Sequence, residues 1–367
     1  MLLRFCLCVL LATAAAPLLA GDRPVARGGV IDLSSCSLTG GGAPSLDGEW
    51  EFYSGVFLDP SADPSSVSAN PAVMTLPELW NSSPEFSGKG PDPRQFGTYR
   101  LRIRVPSSAG NYHIHVPYMY SAYRLYVNGA LVAQNGVPGT TKESTRPMFQ
   151  PLVASFHAAQ PVLDLRIHIA NFHDRKGGIW ETPRIASDNH LLNEYTRKTF
   201  AEAFLLGMLF IFGLYHICMH CFRRDERTAL YFGLFCVAVG VRTLFIGNLL
   251  IYTFFPDFPW LAACRVEYVT YFLMPSLFML YSIELFPSDF HRIAGRIYIV
   301  IACAASAAVL VTPKSVFGMM VYPIQGFIII GAVYILWGYV VAAMNRRSGS
   351  IIAILGLVVF FAAVVND

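Results

Sequence analysis

Residues Asn171–Trp180 read NFHDRKGGIW, a run dense in polar and chemically capable side chains. Aromatic rings stack on the apolar faces of sugars and polar neighbours fix hydroxyls, so a small-ligand cleft needs a few of each. His173, Arg175 and Trp180 offer both kinds, Asn171 opens the run, and Gly177-Gly178 permits unusual backbone conformations. Tyr120 and Arg146, from other loops, complete the candidate ligand-binding set. A plainer reading makes Trp180 a core residue and leaves Arg175 and Lys176 to solvent or lipid headgroups.

A second set lies further along. Arg242, Arg265 and Glu267 interrupt otherwise apolar runs. A charge at the centre of an inserted helix costs about 2.5–3.5 kcal/mol, so such groups are expected to pair. Arg242 and Glu267 fall at similar depth on neighbouring antiparallel helices and are expected to pair, coupling an outer domain to helix packing. A static pair, or snorkelling to the interface, is the simpler alternative.

Other chemistry is not signalled. Glu49, Glu78, Glu85 and Asp174 show no spacing that singles out an acid–base pair. There is no Gly-rich phosphate loop, no HExxH and no GxSxG. Cys218 and Cys221 have CxxC spacing but sit in an apolar run with no second ligand pair, so they read as small apolar helix residues. No catalytic residue, metal or cofactor is expected, and the chain reads as a non-enzyme.

The elements that must position these residues divide by solvent. Hydrophobic residues make up 54% of the chain and charged residues 14%, the composition of a membrane protein with a soluble portion. The net charge of +3 comes largely from arginines between apolar runs, which gives no reason to expect nucleic acid. Met1–Ala20 resembles a secretory leader, with Arg4, an apolar Phe5–Leu11 and small residues up to Ala20. Of the 8 cysteines, Cys6 and Cys8 leave with that leader and Cys36 alone falls in the outer domain, which excludes an internal disulfide there.

Residues 28–187 alternate with period two: YRLRIRV at Tyr99–Val105, YHIHV at Tyr112–Val116 and LDLRIHI at Leu163–Ile169. Asn128-Gly129 between Tyr123–Val127 and Ala130–Gln134 predicts a tight hairpin. Several short strands at this spacing predict an all-β jelly-roll sandwich, with Trp50 and Trp80 in its core. The arginines at 100, 102 and 104 form a polar strand face, solvated or open to an acidic ligand. Residues 188–198 read as a polar connector.

Residues 199–365 then read as an all-α polytopic bundle. Six spans are expected: Thr199–Phe222, Thr228–Gly247, Leu261–Phe286, Ile297–Val311, Tyr322–Met344 and Ser350–Val365, most near the length a bilayer requires. Arg223, Arg224 and Arg227, then Arg292 and Arg296, then Arg346 and Arg347 fall on one side under this count, which the positive-inside rule makes cytoplasmic. The region before Thr199 is therefore expected outside. Pro275 is expected to kink the third span. An array ending on the outer face at Asp367 suggests that at least one further span is missing from a fragment.

The order of several motifs carries a resemblance. Ile31-Asp32-Leu33, then Leu46-Asp47-Gly48-Glu49-Trp50-Glu51-Phe52-Tyr53, is similar to the opening of a galactose-binding-like jelly roll. Gly97-Thr98-Tyr99-Arg100-Leu101, Tyr126-Val127-Asn128-Gly129 and the Asn171–Trp180 run continue it. With the helices that follow, the chain resembles the bacterial seven-transmembrane receptors with diverse intracellular signalling modules. An LDGxW opening also begins the sugar-binding domains of some glycosidases. The resemblance implies an outer sensing domain and a cytoplasmic kinase, cyclase or phosphatase; none of these three output types is visible before residue 367.

The resulting expectation is a multi-pass inner-membrane receptor with a periplasmic sandwich that binds a small molecule, such as a carbohydrate. Its other partners would be the lipid bilayer, a cytoplasmic signalling module and, compatibly, a second copy in a homodimer. A transporter would show repeated halves and broken helices, which are not seen. A membrane-anchored glycan-binding or glycan-processing protein is the remaining alternative.

Overall fold

The computed structural model describes residues 24–63, 70–80, 95–106 and 110–366. The expected leader Met1–Ala20 and Glu85 lie outside the described residues. The strands are β1 (Val30–Asp32), β2 (Gly48–Ser54), β3 (Ala72–Leu76), β4 (Glu78–Leu79), β5 (Gln95–Arg104), β6 (Gly110–Val116), β7 (Ala122–Val127), β8 (Ala130–Asn135), β9 (Leu152–Ala158), β10 (Val162–Asn171), β11 (Gly178–Ile179) and β12 (Arg184–Ala186). Helices follow: α1 (His190–Phe222), α2 (Arg227–Thr243), α3 (Leu250–Phe254), α4 (Trp260–Leu285), α5 (Arg292–Val311), α6 (Lys314–Phe317), α7 (Val321–Met344) and α8 (Ser350–Asn366).

A larger sheet runs β3-β2-β5-β10-β7-β8, with β1 parallel beside β5, and a smaller one runs β12-β6-β9. Alternation dictates the packing. Tyr99, Leu101 and Ile103 of β5 and Leu163, Leu165, Ile167 and Ile169 of β10 are buried, facing Tyr112, Ile114 and Val116 of β6 across one core. Trp50 and Trp80 are fully buried in it, as expected, each with its indole N–H donated: to the Leu46 carbonyl at 2.8 Å and the Tyr99 hydroxyl at 2.7 Å. The hairpin at Asn128-Gly129 has φ of 49° and 84°, the left-handed pair that its sequence predicts. The arginine face of β5 is neutralised by a ladder of acids. Arg100 bridges Glu51 at 3.1 Å and Asp164 at 2.8 Å, and Arg104 faces Asp32 at 3.6 Å. The strand that alternation does not announce is β9, whose LVASFHA is half-exposed along most of its length.

Among the described residues four helices, α1, α4, α5 and α7, are long and apolar enough to cross a membrane. α2 has 17 residues, and α8 is apolar over Ser350–Val359. Residues 190–198, expected as a connector, are the first turns of α1. Glu194 anchors them to the sandwich, pairing with Arg184 of β12 at 3.1 Å and Lys198 at 3.0 Å. At 33 residues α1 is about 50 Å long, more than the hydrocarbon thickness, so it accommodates both jobs. α5 likewise begins at Arg292 and not Ile297, because hydropathy marks only the apolar part of a helix. α4 is continuous through Pro275.

α1 and α2 cross closely at Gly213 and Gly233, where a Cβ on Gly213 would meet the Gly233 carbonyl at 3.0 Å. The connections alternate between two ends. The arginine-bearing turns share the end away from the sandwich, where Asp289 accepts from Asn345 at 2.6 Å and Arg347 at 3.1 Å. The sandwich caps the other end, against the α2–α4 connection, α6 and the start of α7.

Candidate functional site

The Asn171–Trp180 loop is built from its first residue. Asn171 is buried, and its amide donates to the carbonyls of Asp174 at 2.9 Å and Lys176 at 2.8 Å while accepting from the Asp174 N–H at 3.1 Å. That closes the loop and aims its next residues at the helices. The Asp174 carboxylate lies 3.8 Å from the Lys314 ammonium of α6, each side chain only 9% exposed. Lys314 also donates to the Tyr268 hydroxyl of α4 at 2.8 Å. Burial is the largest single influence and works against its charge, but the Asp174 carboxylate, together with Cys264 and Tyr268, outweighs it, and the Lys314 pKa lies above the ordinary lysine value. Arg175 donates to the Tyr322 hydroxyl of α7 at 2.6 Å and stands over that ring at 5.2 Å. His173 meets the Trp260 ring of α4 edge-on at 6.1 Å, and burial lowers its pKa.

The loop and the bundle enclose a cavity of about 360 Å³, lined by Tyr118, Tyr120, Phe149, Asp174 and Arg175 from the sandwich and by Glu267, Tyr268, Lys314 and Tyr322 from the helices. Its volume is within the roughly 300–1,000 Å³ usual for small-molecule sites. Tyr118 and Tyr120 meet edge to face with centroids 5.9 Å apart, and Phe149 lies 5.5 and 5.3 Å from them. Burial raises both tyrosine pKa values, and for Tyr118 the Glu267 carboxylate adds to the effect.

Of the residues singled out from sequence, Tyr120, Arg175 and Glu267 line this cavity. Asn171 and His173 hold and seat the loop beside it. Trp180 is 41% exposed, so it is not a core residue; its indole donates to the Tyr118 carbonyl at 2.9 Å and stacks on that ring at 5.2 Å. Arg146 stands apart: exposed, its backbone pairs with Val137. The expected Arg242–Glu267 ion pair is replaced by a different contact. Arg242 donates to the Glu267 backbone carbonyl at 2.8 Å and lies over the Tyr271 ring at 5.0 Å, which leaves the carboxylate free to face the cavity. Arg242 itself borders a second, mainly apolar cavity of about 260 Å³ inside the bundle, with Tyr271, Pro275 and Tyr298. The Arg265 Nε is buried with no hydrogen-bond partner among the described residues.

Sequence reasoning missed Lys314, Phe149, Tyr118 and Tyr322. A signal existed for Lys314, a lone cation in a loop otherwise free of Lys and Arg, and for the PYMYSAY run at Pro117–Tyr123. It also missed Glu202 of α1, whose carboxylate accepts from the Asn248 N–H at 3.2 Å and so satisfies the turn between α2 and α3.

The helical part of the chain matches a known family. The family model described as 7TM diverse intracellular signalling covers residues 198–367. This region of the chain belongs to that family. In the 7TM diverse intracellular signalling region lie Glu267, Tyr268, Lys314 and Tyr322, the bundle's share of the cavity. No curated protein matches. Solved structures similar to part of the chain include a GH2 beta-galacturonidase from Eisenbergiella tayi (13% identity, 39% of this chain and 24% of that one, TM-score 0.27). Others are beta-glucuronidases from Faecalibacterium prausnitzii (18%, 35% and 21%, 0.26) and an uncultured Clostridium species (13%, 40% and 29%, 0.30). The chain thus spans less than a third of these enzymes' length, and at this level the likeness speaks to neither substrate nor activity.

Proposed function

We propose that this chain is the sensing and membrane-spanning part of a signal receptor. In this reading the outer sandwich binds a small ligand, the Asn171–Trp180 loop carries the change to the helix ends, and a cytoplasmic module reads the new helix packing. One observation carries it: a polar loop of the sandwich is bonded to two separate helices of the bundle, through Asp174–Lys314 and Arg175–Tyr322. A domain merely tethered to the membrane would need no such contacts. A ligand shifts the balance between two packings only by its difference in affinity for them, and a site bounded by both bodies can supply that difference. The arginines at the far end support a cytoplasmic position for that end and a periplasmic one for the sandwich.

The test needs no ligand. Spin labels at positions 224 and 346, on far-end turns, report helix separation in nanodiscs. Releasing the loop with Asp174→Asn and Arg175→Ala together is expected to shift or broaden the distance distribution. A distribution identical to that of the parent protein would refute the relay. Residues Asp289 and Arg347 should remain bonded in either state, giving an internal reference for local damage.

A further inference from the structure

The second cavity, of about 260 Å³, lies inside the bundle between α2, α4, α5, α7 and α8. Phe235, Met274, Phe278, Met279, Ile335 and Leu357 give it apolar walls, together with the rings of Tyr271 and Tyr298. The Tyr298 hydroxyl is already committed, donating to the Phe327 carbonyl at 2.8 Å. Among the described residues Arg242 is the one charged group in this lining, and no carboxylate accompanies it there. A guanidinium carries several N–H donors. That of Arg242 donates to the Glu267 main-chain carbonyl at 2.8 Å and lies over the Tyr271 ring at 5.0 Å. The Glu267 carboxylate lines the other cavity, and among the described residues Arg242 forms no ion pair. A charge placed within an apolar bundle is costly unless a partner answers it. Phe235 stands about 10 Å from Arg242 along α2, so the cavity is a slot with a cation at its sandwich end and hydrocarbon beyond.

We infer that this slot binds a single-chain carboxylate of medium length, its head paired with Arg242 and its chain running toward Met279 and Leu357. The guanidinium fork matches a carboxylate through parallel hydrogen bonds. The volume is just below the roughly 300–1,000 Å³ usual for small-molecule sites, so the slot takes one chain and not the pair that a phospholipid brings. Lipid tails are as apolar as these walls, so selection falls on the head and not on the chain. The site lies apart from the Asn171–Trp180 loop and goes beyond the relay proposed above. A carboxylate held by Arg242 ties α2 to the other helices around the slot, and an amphiphile dissolved in the bilayer thereby acts on helix packing from within.

The probe is decanoate bearing a diazirine near its chain end, photo-crosslinked to the full chain in phosphatidylcholine nanodiscs, with labelled peptides mapped by mass spectrometry. Labels are expected on Met279, Ile335 and Leu357 in the slot. Plain decanoate is expected to displace the probe at least about tenfold more effectively than methyl decanoate, which lacks the charge. Arg242→Gln is expected to erase that preference, and Arg242→Lys to keep it. Ala332→Phe, which fills the slot without touching the cation, is expected to remove the slot labels while leaving those on the exposed Ile351 and Ile352 of α8. Labels confined to such lipid-facing residues, equal displacement by acid and ester, or slot labelling unchanged in Ala332→Phe would each overturn the site. Phosphatidylglycerol in the nanodiscs displacing the probe as effectively as decanoate would overturn it too, because the occupant would then be a phospholipid tail. The crosslinks report the slot alone, whereas the spin-label distances report the loop relay, so either can fail without the other.

Discussion

The Asp174–Lys314 contact joins two parts of the chain 140 residues apart in sequence, and its removal should be measurable. Two unit charges 3.8 Å apart attract by about 4 kcal/mol at an effective dielectric constant of about 20. Both side chains are 9% exposed, so solvent cannot take over the role of either partner. Removing one leaves a buried charge uncompensated, at a cost of about 3–5 kcal/mol. Asp174→Asn and Lys314→Met should each loosen the loop by about that amount, while the double variant should cost much less than the sum. The coupling should reach about 2–3 kcal/mol, the upper range for contacting residues. The assay is hydrogen exchange of the Asn171–Trp180 amides in nanodiscs. A loss of 3 kcal/mol in local opening free energy corresponds to about a hundredfold faster exchange. Amides in the Tyr99–Arg104 strand serve as the control and should hold their rates. Strictly additive singles, or loop exchange unchanged by Asp174→Asn, would show that the sandwich is not seated by this pair.

Three further outcomes are expected. His115 is largely buried near Arg184, and burial first, then that arginine, lowers its pKa from 6.5 to about 4. The unfolded chain therefore binds the proton more tightly, and stability falls as pH drops from about 6.5 toward 4, by up to about 3 kcal/mol. Denaturation of the protein at pH 7 and pH 4.5 should show this loss, and His115→Gln should reduce it. Trp80→Phe strands the buried Tyr99 hydroxyl and should cost at least about 1–3 kcal/mol in sandwich stability, with Tyr99→Phe in the same chain recovering part of it on thermal unfolding. Gly213→Val places a Cβ 2.6 Å from the Val237 side chain and should lower the bundle's unfolding temperature through about 1–3 kcal/mol of overpacking. Gly207→Ala on the same helix meets nothing within 4 Å and should not.

Much of the architecture was legible because it follows from periodicity. β5, β6 and β10 alternate apolar and polar residues over one buried face, and Asn128-Gly129 demands a tight turn whatever surrounds it. The bundle announced itself by runs of apolar residues, although the helix ends did not: His190 and Arg292 begin helices in polar sequence held by neighbours that no local window contains. The site was half legible. The Asn171–Trp180 loop drew attention through composition, and Tyr120 and Arg175 do face the cavity. Their partners did not, because Lys314, Tyr268 and Tyr322 reach them only through the folding of the whole bundle. Glu267 and Arg242 were matched by depth, yet rotation about a helix axis decides which atoms meet, and depth alone carries no information about it. Arg146 looked like its loop neighbours in type and lies elsewhere because the β8–β9 loop turns it outward to solvent.

α1 leaves the sandwich already helical, with Glu194 bonded to Arg184 before the apolar stretch begins. Such a joint has a phase. Each residue added between Glu194 and Phe200 would swing the sandwich about 100° around the α1 axis and lift it by about 1.5 Å, carrying Asp174 away from Lys314. Swapping in another outer domain would thus be a matter of counting residues: splices that keep the same azimuth preserve the seating, and those off by one or two put the loop over lipid.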